Sequence, residues 1–342
     1  MPTLEAKPAA TRGPEPESRH PRRRSVRDLA WAFLRWFDSG AGRRPVESAV
    51  LDHRVDWARV MPFFGMHVMC VFVLVSGVSW IAVATALVLY LVRMFAITGF
   101  YHRYFSHKAY KVSRLWQFVF AVAGNSAVQR GPLWWASHHR LHHAHSDGEK
   151  DVHSPIRHGF LWSHVGWLLS RANFDPQLAV VGDLARYPEL RFLDRFDILV
   201  PAALATGLFF GGQWLGAAHP ELGTSGFQML VWGFFVSTVV LFHGTCAINS
   251  VAHLFGTRRF RTKDQSRNSM ALALVTLGEG WHNNHHRFPG MARQGLRWWE
   301  IDVTYYGLKL LALVGVVRDL RPPPPLSEQE AAELQGGGRA GA

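Results

Sequence analysis

The sequence predicts an all-α integral membrane protein: four transmembrane helices beneath a cytosolic helical cap that carries a histidine-rich metal site. Three observations predict it. Four runs are long and apolar enough to cross a bilayer core, basic residues gather on one side of those runs, and histidines cluster beside them. Of 342 residues, 48% are hydrophobic and only 18% charged, with Lys+Arg 37 against Asp+Glu 25. Mean hydropathy is nevertheless near zero, the sum of strongly apolar and strongly polar segments. The two cysteines, Cys70 and Cys246, both lie in apolar runs, which excludes a disulfide scaffold and points to a reducing compartment.

The spans fall at about 61–77, 79–101, 198–218 and 227–248. Arg93 is the awkward residue. A lone cation in lipid is expensive, so it either snorkels or faces the protein interior. Residues 1–60 carry twelve Lys+Arg, 102–197 carry twelve and 249–320 carry ten, whereas the two short connectors carry none. The positive-inside rule therefore places these segments and both termini in the cytoplasm. The basic excess reads as membrane topology, and a nucleic-acid partner is not expected.

Outside the 61–320 core the ends read differently. Residues 1–60 form a basic cytosolic arm, disordered over its first part, with no signal-peptide pattern and with a short amphipathic helix at Asp28–Phe37 suited to a membrane surface. The tail over 321–342, with its PPPP and GGG runs, reads as disordered.

Histidine is the sharpest anomaly, with 19 copies, ten of them between His102 and His164. Three clusters stand out: His102 with His107; His139, His142 and His143; and His282, His285 and His286. On a helix, positions i, i+3 and i+4 share a face, so the last two clusters can each converge. The five-residue offset of His102 and His107 suits a helix end or two different metals. Asn249 and His253, four apart, form a fourth element. The second and fourth spans end on the same side, so nine imidazoles can meet at one depth near the cytoplasmic interface. Nine are too many for one ion and suit two. Neutral imidazole binds iron, zinc, copper or nickel. No Asp or Glu stands inside the clusters, which distinguishes the site from carboxylate-bridged centres and leaves the metal charge uncompensated by its ligands. Asn249 is placed holding a metal-bound water. His138 reads as a neighbour of the site or incidental, His145 as solvated, His153 and His164 as structural hydrogen-bonding residues, and His67 and His243 as packed between helices.

The clusters, their order and their spacing resemble the membrane fatty acyl desaturases of the Δ9, stearoyl-CoA desaturase-like family, in a bacterial-type form. Similar text recurs at Ser146-Asp147 with Asp151-Val-His153-Ser154-Pro155, at Gly159 to Trp167, at Asn249 to Gly256 and at Gly278 to His286. The resemblance covers 61–320. It implies a four-helix stem in the bacterial inner membrane and a cytosolic cap holding two Fe2+ ions. The implied ligands are His102, His107, His139, His142, His143, His253, His282, His285 and His286, with Asn249 through water. It also implies an O2-dependent oxidoreductase that removes hydrogens at C9 and C10 of a saturated acyl chain to leave a cis double bond. Acyl-CoA is the favoured substrate, with an acyl-lipid as the alternative. Electrons come from an external ferredoxin, flavoprotein or cytochrome, because the chain has no His-Pro-Gly-Gly haem module.

Comparison with animal members puts Gln129, Trp135 and Thr245 at the bend of a substrate tunnel and Tyr90 at its closed end. Met94 stands where a small residue is usual, which predicts a preference for sixteen-carbon over eighteen-carbon chains. Cys246 replaces a tunnel-lining Trp. Ser137-His138 and Arg171-Ala172 depart from the pairs associated with coenzyme A. Two rivals differ in testable ways. A related hydroxylase would add oxygen to the product, and a metal transporter would hold its ligands near the bilayer midplane.

Overall fold

The computed structural model describes residues 26–41 and 54–335. The first 25 residues of the basic arm and the last seven of the tail lie outside the described residues. Among the described residues there is no β-strand, only isolated bridges. Among those residues four helices are long and apolar enough to cross a membrane: Trp57–Ser76, Trp80–Ser106, Leu199–Ala218 and Gly226–His253. The second and fourth are the more buried pair, and the first and third flank them. Leu74, Val75, Phe210 and Trp214 stay exposed, an outward apolar surface suited to lipid.

Two spans run further than their apolar stretches. Beyond Phe95 the second continues as a π-helix over Ala96–Ser106, and the fourth ends in a 3-10 turn over Val251–His253. These extensions carry polar side chains past the apolar zone. Asp56 and Ser79 cap the first and second spans through bonds to the amides of Arg59 and Ala82. Arg93 faces inward, only 1% exposed. It donates to Leu89 O (3.1 Å), Ser126 O (3.3 Å), Thr238 Oγ1 (2.7 Å) and Ser237 Oγ. Neutral acceptors on the neighbouring helices replace water around this cation.

The cap packs on the π-helix. Helices Arg114–Asn125 and Pro132–His145 lie against it, with Phe100 and Phe120 stacked at 3.6 Å. One buried network locks the π-helix to the C-terminal part of the cap. Arg103 reaches Glu279 (3.0 Å) and Asp302 (2.9 Å), and all three are almost fully buried. Asp302 also caps helix Val303–Leu313 through Tyr305 N.

The ends are more structured than their composition suggests. Helix Val26–Leu34 exposes Val26, Leu29, Phe33 and Leu34, an apolar face suited to a membrane surface. It is tied down by Trp36 Nε1 donating to Ala58 O and by the Arg195–Asp38 pair. In the tail, where disorder is expected, Glu328–Gln335 is helical. Glu330 pairs with Arg287, while Leu326 and Leu334 pack on Phe260, Phe288 and Met291. An apolar contact and a partly exposed ion pair supply the order that the proline and glycine content hides.

Candidate metal centre

Nine imidazoles meet beside the cytoplasmic ends expected for the second and fourth spans, in two adjoining groups. His102, His107, His139, His143 and His285 form the first; His142, His253, His282 and His286 form the second. Within each group the candidate ligand nitrogens lie within 4.8 Å of one another. The clusters are thus divided between the groups. Adjacent side chains on one helical face fan to either side, so His139 and His143 serve one group and His142 the other. Helix His282–Arg287 divides likewise, sending His285 one way and His282 and His286 the other.

The offset of His102 and His107 is resolved by the backbone. An i to i+5 bond, His107 N to His102 O at 3.2 Å, stacks them one π-turn apart in the same group. Of the two possibilities left by their spacing, the helix end is the one observed.

Carboxylates fix the rings. His102 Nδ1 lies 2.5 Å from Glu279, His142 Nδ1 3.0 Å from Asp151, His253 Nδ1 2.9 Å from Asp147 and His286 Nδ1 2.8 Å from Asp264. An ionised carboxylate only accepts, so each Nδ1 carries the hydrogen and each Nε2 keeps a lone pair turned inward. Inward nitrogens then face one another: His102 and His285 at 3.0 Å, His107 and His139 at 2.7 Å, His285 and His143 at 2.9 Å, and His253 and His282 at 3.0 Å. Nε2 of His286 is buried with no hydrogen-bond partner. Converging lone pairs are what a cation satisfies, so the donor set fits metal ions. The sequence reading missed these carboxylates because they stand outside the clusters. Asp147 and Asp151 were visible in the family-type text, and Glu279 in GEGW, but nothing in the spacing assigned them to a ring.

The asparagines of HNNHH are pegs. Asn283 Oδ1 accepts from the amides of Arg259 (2.8 Å) and Phe260 (2.7 Å), and Asn284 Nδ2 donates to Gln294 O and Glu300 Oε2, both at 3.0 Å. They hold a six-residue helix that could not stand alone. Gly278, at φ +123°, passes so close to Asp302 that a Cβ would lie 2.5 Å from its Oδ1.

Burial, followed by neighbouring imidazoles, pushes His107, His139, His143, His282 and His285 well below the usual histidine range. Burial likewise lowers His286 to about 4 against the pull of Asp264. His142 is the exception: burial opposes its charge, but Asp151 raises it. Glu279 and Asp147 sit at about 2, since their imidazole partners outweigh burial. In the metal-free protein this fixes the sign of a pH effect. The unfolded chain takes up protons near pH 6.5 that the folded site refuses, so the full stability is present above about 6.5 and falls as pH drops toward 4. Each lowered histidine contributes about 1.4 kcal/mol per pH unit in that window. The thermal midpoint of metal-free protein in detergent should fall steeply between about pH 7 and pH 5; a flat profile contradicts this.

Other expected site residues are placed as follows. Trp135 stacks on His139 (5.0 Å) and leans on His102 (6.0 Å). Gln129 Nε2 donates to Thr245 Oγ1 at 3.0 Å. Tyr90 donates to Val275 O at 2.6 Å, Met94 is 1% exposed, and a methyl on Gly244 would meet Met94 Cε at 3.1 Å and Tyr90 Oη at 3.3 Å. Cys246 is buried on the same helix. Asn249 lies one turn before His253, its backbone carbonyl accepting from Ser163 Oγ. His138 Nδ1 donates to Trp134 O at 2.9 Å, and His153 stacks on His142 at 4.4 Å. His67, His243 and His164 form one row, with nitrogens 3.1 and 3.0 Å apart, ending at Ser250 Oγ.

A cavity of about 410 Å³ reaches His143 and His286, one from each group, and its wall carries Arg261, Lys263 and Arg287. The uncompensated metal charge inferred from the clusters alone is therefore corrected: four carboxylates stand directly behind the rings.

Comparison with known proteins agrees with this geometry. The chain is 34% identical over 271 residues to an sn-1 stearoyl-lipid 9-desaturase from Anabaena variabilis, covering 78% of this chain and 94% of that one. It is 36% identical over 277 residues to an sn-2 palmitoyl-lipid 9-desaturase from Nostoc sp. (strain 36), covering 79% and 91%. An acyl-CoA C20 Delta5-desaturase from Anemone leveillei is 36% identical over 278 residues, covering 78% and 82%. Residues 78–305 match the fatty acid desaturase family, and this chain belongs to it.

Proposed function

We propose that this protein is an O2-dependent desaturase that places a cis double bond at C9 of a saturated acyl chain. The observation that carries the reading is the pair of inward-turned imidazole groups at the end of a helix pair that holds Tyr90, Met94 and Thr245. Two irons would be held by His102, His107, His139, His143 and His285 on one side and by His142, His253, His282 and His286 on the other. Asn249 would add a water to the second. Bound iron and O2 supply the oxidant that an unactivated methylene requires, since it has no acidic proton for a side chain to take.

The chain's own residues aim and protect that chemistry. Glu279, Asp147, Asp151 and Asp264 keep four rings in one tautomer and orientation. Trp135 covers the His139 face, and the Gln129–Thr245 bond forms one wall of the bend. A methylene pair held at fixed depth beside the centre gives positional choice through geometry alone. Met94 closes the space beside Gly244, which supports a preference for sixteen-carbon chains. Met94→Ala should move the chain-length optimum upward, read from the fatty acid profile of expressing cells; an unchanged profile sinks the tunnel assignment.

An acyl-lipid substrate is the first reading, because both relatives named above for position 9 act on lipids. Ser137 and His138 support it, being buried and bonded to Trp134 O where an Arg-Asp pair would meet coenzyme A. Acyl-CoA is the second reading, favoured by the Anemone relative and by the half-exposed Arg171. The basic wall of the cavity suits an acidic ferredoxin, flavoprotein or cytochrome as electron donor, approaching from the cytoplasmic side of a bacterial inner membrane. The core of 61–320 carries all of this, with helix Val26–Leu34 at the membrane surface.

Expression in a desaturase-deficient host, with double bonds located by mass spectrometry, tests the reading. The expected product is lighter by two hydrogens with unsaturation at C9. A product heavier by one oxygen would make the enzyme a hydroxylase, and no new product would overturn both.

A further inference from the structure

The two imidazole groups differ in the charge behind them. In the first, one ring alone, His102, has a carboxylate, Glu279, and that carboxylate is shared with Arg103 at 3.0 Å. Arg140, whose guanidinium donates to Ser106 O and Phe105 O beside His107, adds no net charge there because it is paired with Asp183 at 2.6 Å. In the second, three of four rings are backed: His142 by Asp151, His253 by Asp147 and His286 by Asp264.

The other partners of these three carboxylates are chiefly neutral. Asp147 accepts from Ser154 Oγ and Gln265 N, Asp151 from Asp147 N, and Asp264 from Thr262 Oγ1 and Ser266 N. His153 also approaches Asp151, at 3.7 Å. Arg157 and Arg258 come near, but they bond the backbone carbonyls of Asp147 and Asp264 and leave the carboxylates to the imidazoles. A carboxylate accepting Nδ1–H pushes electron density to Nε2 and strengthens it as a donor. Three carboxylates paired with no arginine or lysine among the described residues, against one shared with Arg103, is an imbalance of charge in a buried site.

Resting on the metal-centre reading, we propose that the two positions are unequal: the one framed by His142, His253, His282 and His286 fills first and empties last. Asp147, Asp151 and Asp264 are its positioning residues. Losing one carboxylate partner from a metal-bound histidine weakens metal binding by about 10- to 100-fold. Asp264→Asn should therefore lower the affinity for the first iron by that factor, and Glu279→Gln should leave it nearly unchanged.

The test uses the full-length metal-free chain under anaerobic conditions. One equivalent of the Mössbauer-active iron isotope is added, followed by one of the silent isotope, and then the order is reversed. The expected result is a single quadrupole doublet for the first order and a different one for the second. His282→Ala should alter the first-equivalent doublet, whereas His107→Ala should leave it intact. The same mixture of doublets in both orders, or the opposite response of the two histidine variants, overturns the proposal while leaving a two-metal centre standing. Failure to bind iron at all overturns the metal-centre reading as well. The isotope order is read on the unmodified chain, so it decides the matter even if Asp264→Asn does not fold.

Discussion

His142→Ala should abolish desaturated product in a desaturase-deficient host, down to the level of cells without the gene. His142 is 5% exposed, belongs to the second group from its place on helix Pro132–His145, and is held by Asp151. The substitution removes an inward nitrogen and leaves the buried Asp151 with the amide of Asp147 and the more distant His153 ring at 3.7 Å. The loss should appear in fatty acid profiles and in metal content together. His219→Ala is the matched control. His219 lies on the short loop between the third and fourth spans, paired with the exposed Glu221, and its loss should leave product unchanged. Product from His142→Ala at more than a trace would remove this histidine from the centre.

Arg103→Met carries the largest expected effect on stability. Arg103 is 1% exposed and bridges Glu279 and Asp302, while its Nη1 donates to Ala292 O at 2.7 Å. Removing one partner of such a buried network leaves two carboxylates uncompensated and costs about 3–5 kcal/mol. The damage is not confined to folding. Glu279 orients His102, so the first group loses its one carboxylate support in register. A lowered thermal midpoint with reduced metal content is expected. An unchanged midpoint in the metal-free protein would mean that the network is not a structural lock.

Much of this was legible in the sequence. Four long apolar runs with basic flanks announce the spans because a bilayer imposes length and polarity on any helix that crosses it. The histidines announce the centre because no packing requirement places nine of them at those offsets. What stayed hidden depends on distance in the chain. Glu279 belongs to His102 across 177 positions, and Asp264 to His286 across 22; neither relation leaves a periodic mark. The division of each cluster between two groups was also unreadable. Helical spacing tells which residues share a face, not how far their side chains fan apart. The π-helix at Ala96–Ser106 is a tertiary choice, driven by His102, Arg103 and Ser106 all needing buried partners. The helix in the tail was masked by a low-complexity neighbourhood, although Leu326, Glu330 and Leu334 carry its contacts.

Read from the clusters, the rings form a neutral cage around positive ions. In the folded protein the cage is backed by acids, mostly on one side. Neutral imidazoles facing inward, with negative charge one hydrogen bond further out, would let the site bind cations without giving up imidazole coordination.

Iron content after anaerobic reconstitution, measured on the purified full-length chain together with X-ray absorption at the iron edge, decides whether the nine imidazoles hold two irons. The expected outcome is two irons per chain with first-neighbour scattering from imidazole nitrogens and water-type oxygen. One iron or fewer per chain, or a first shell containing sulfur, would contradict it.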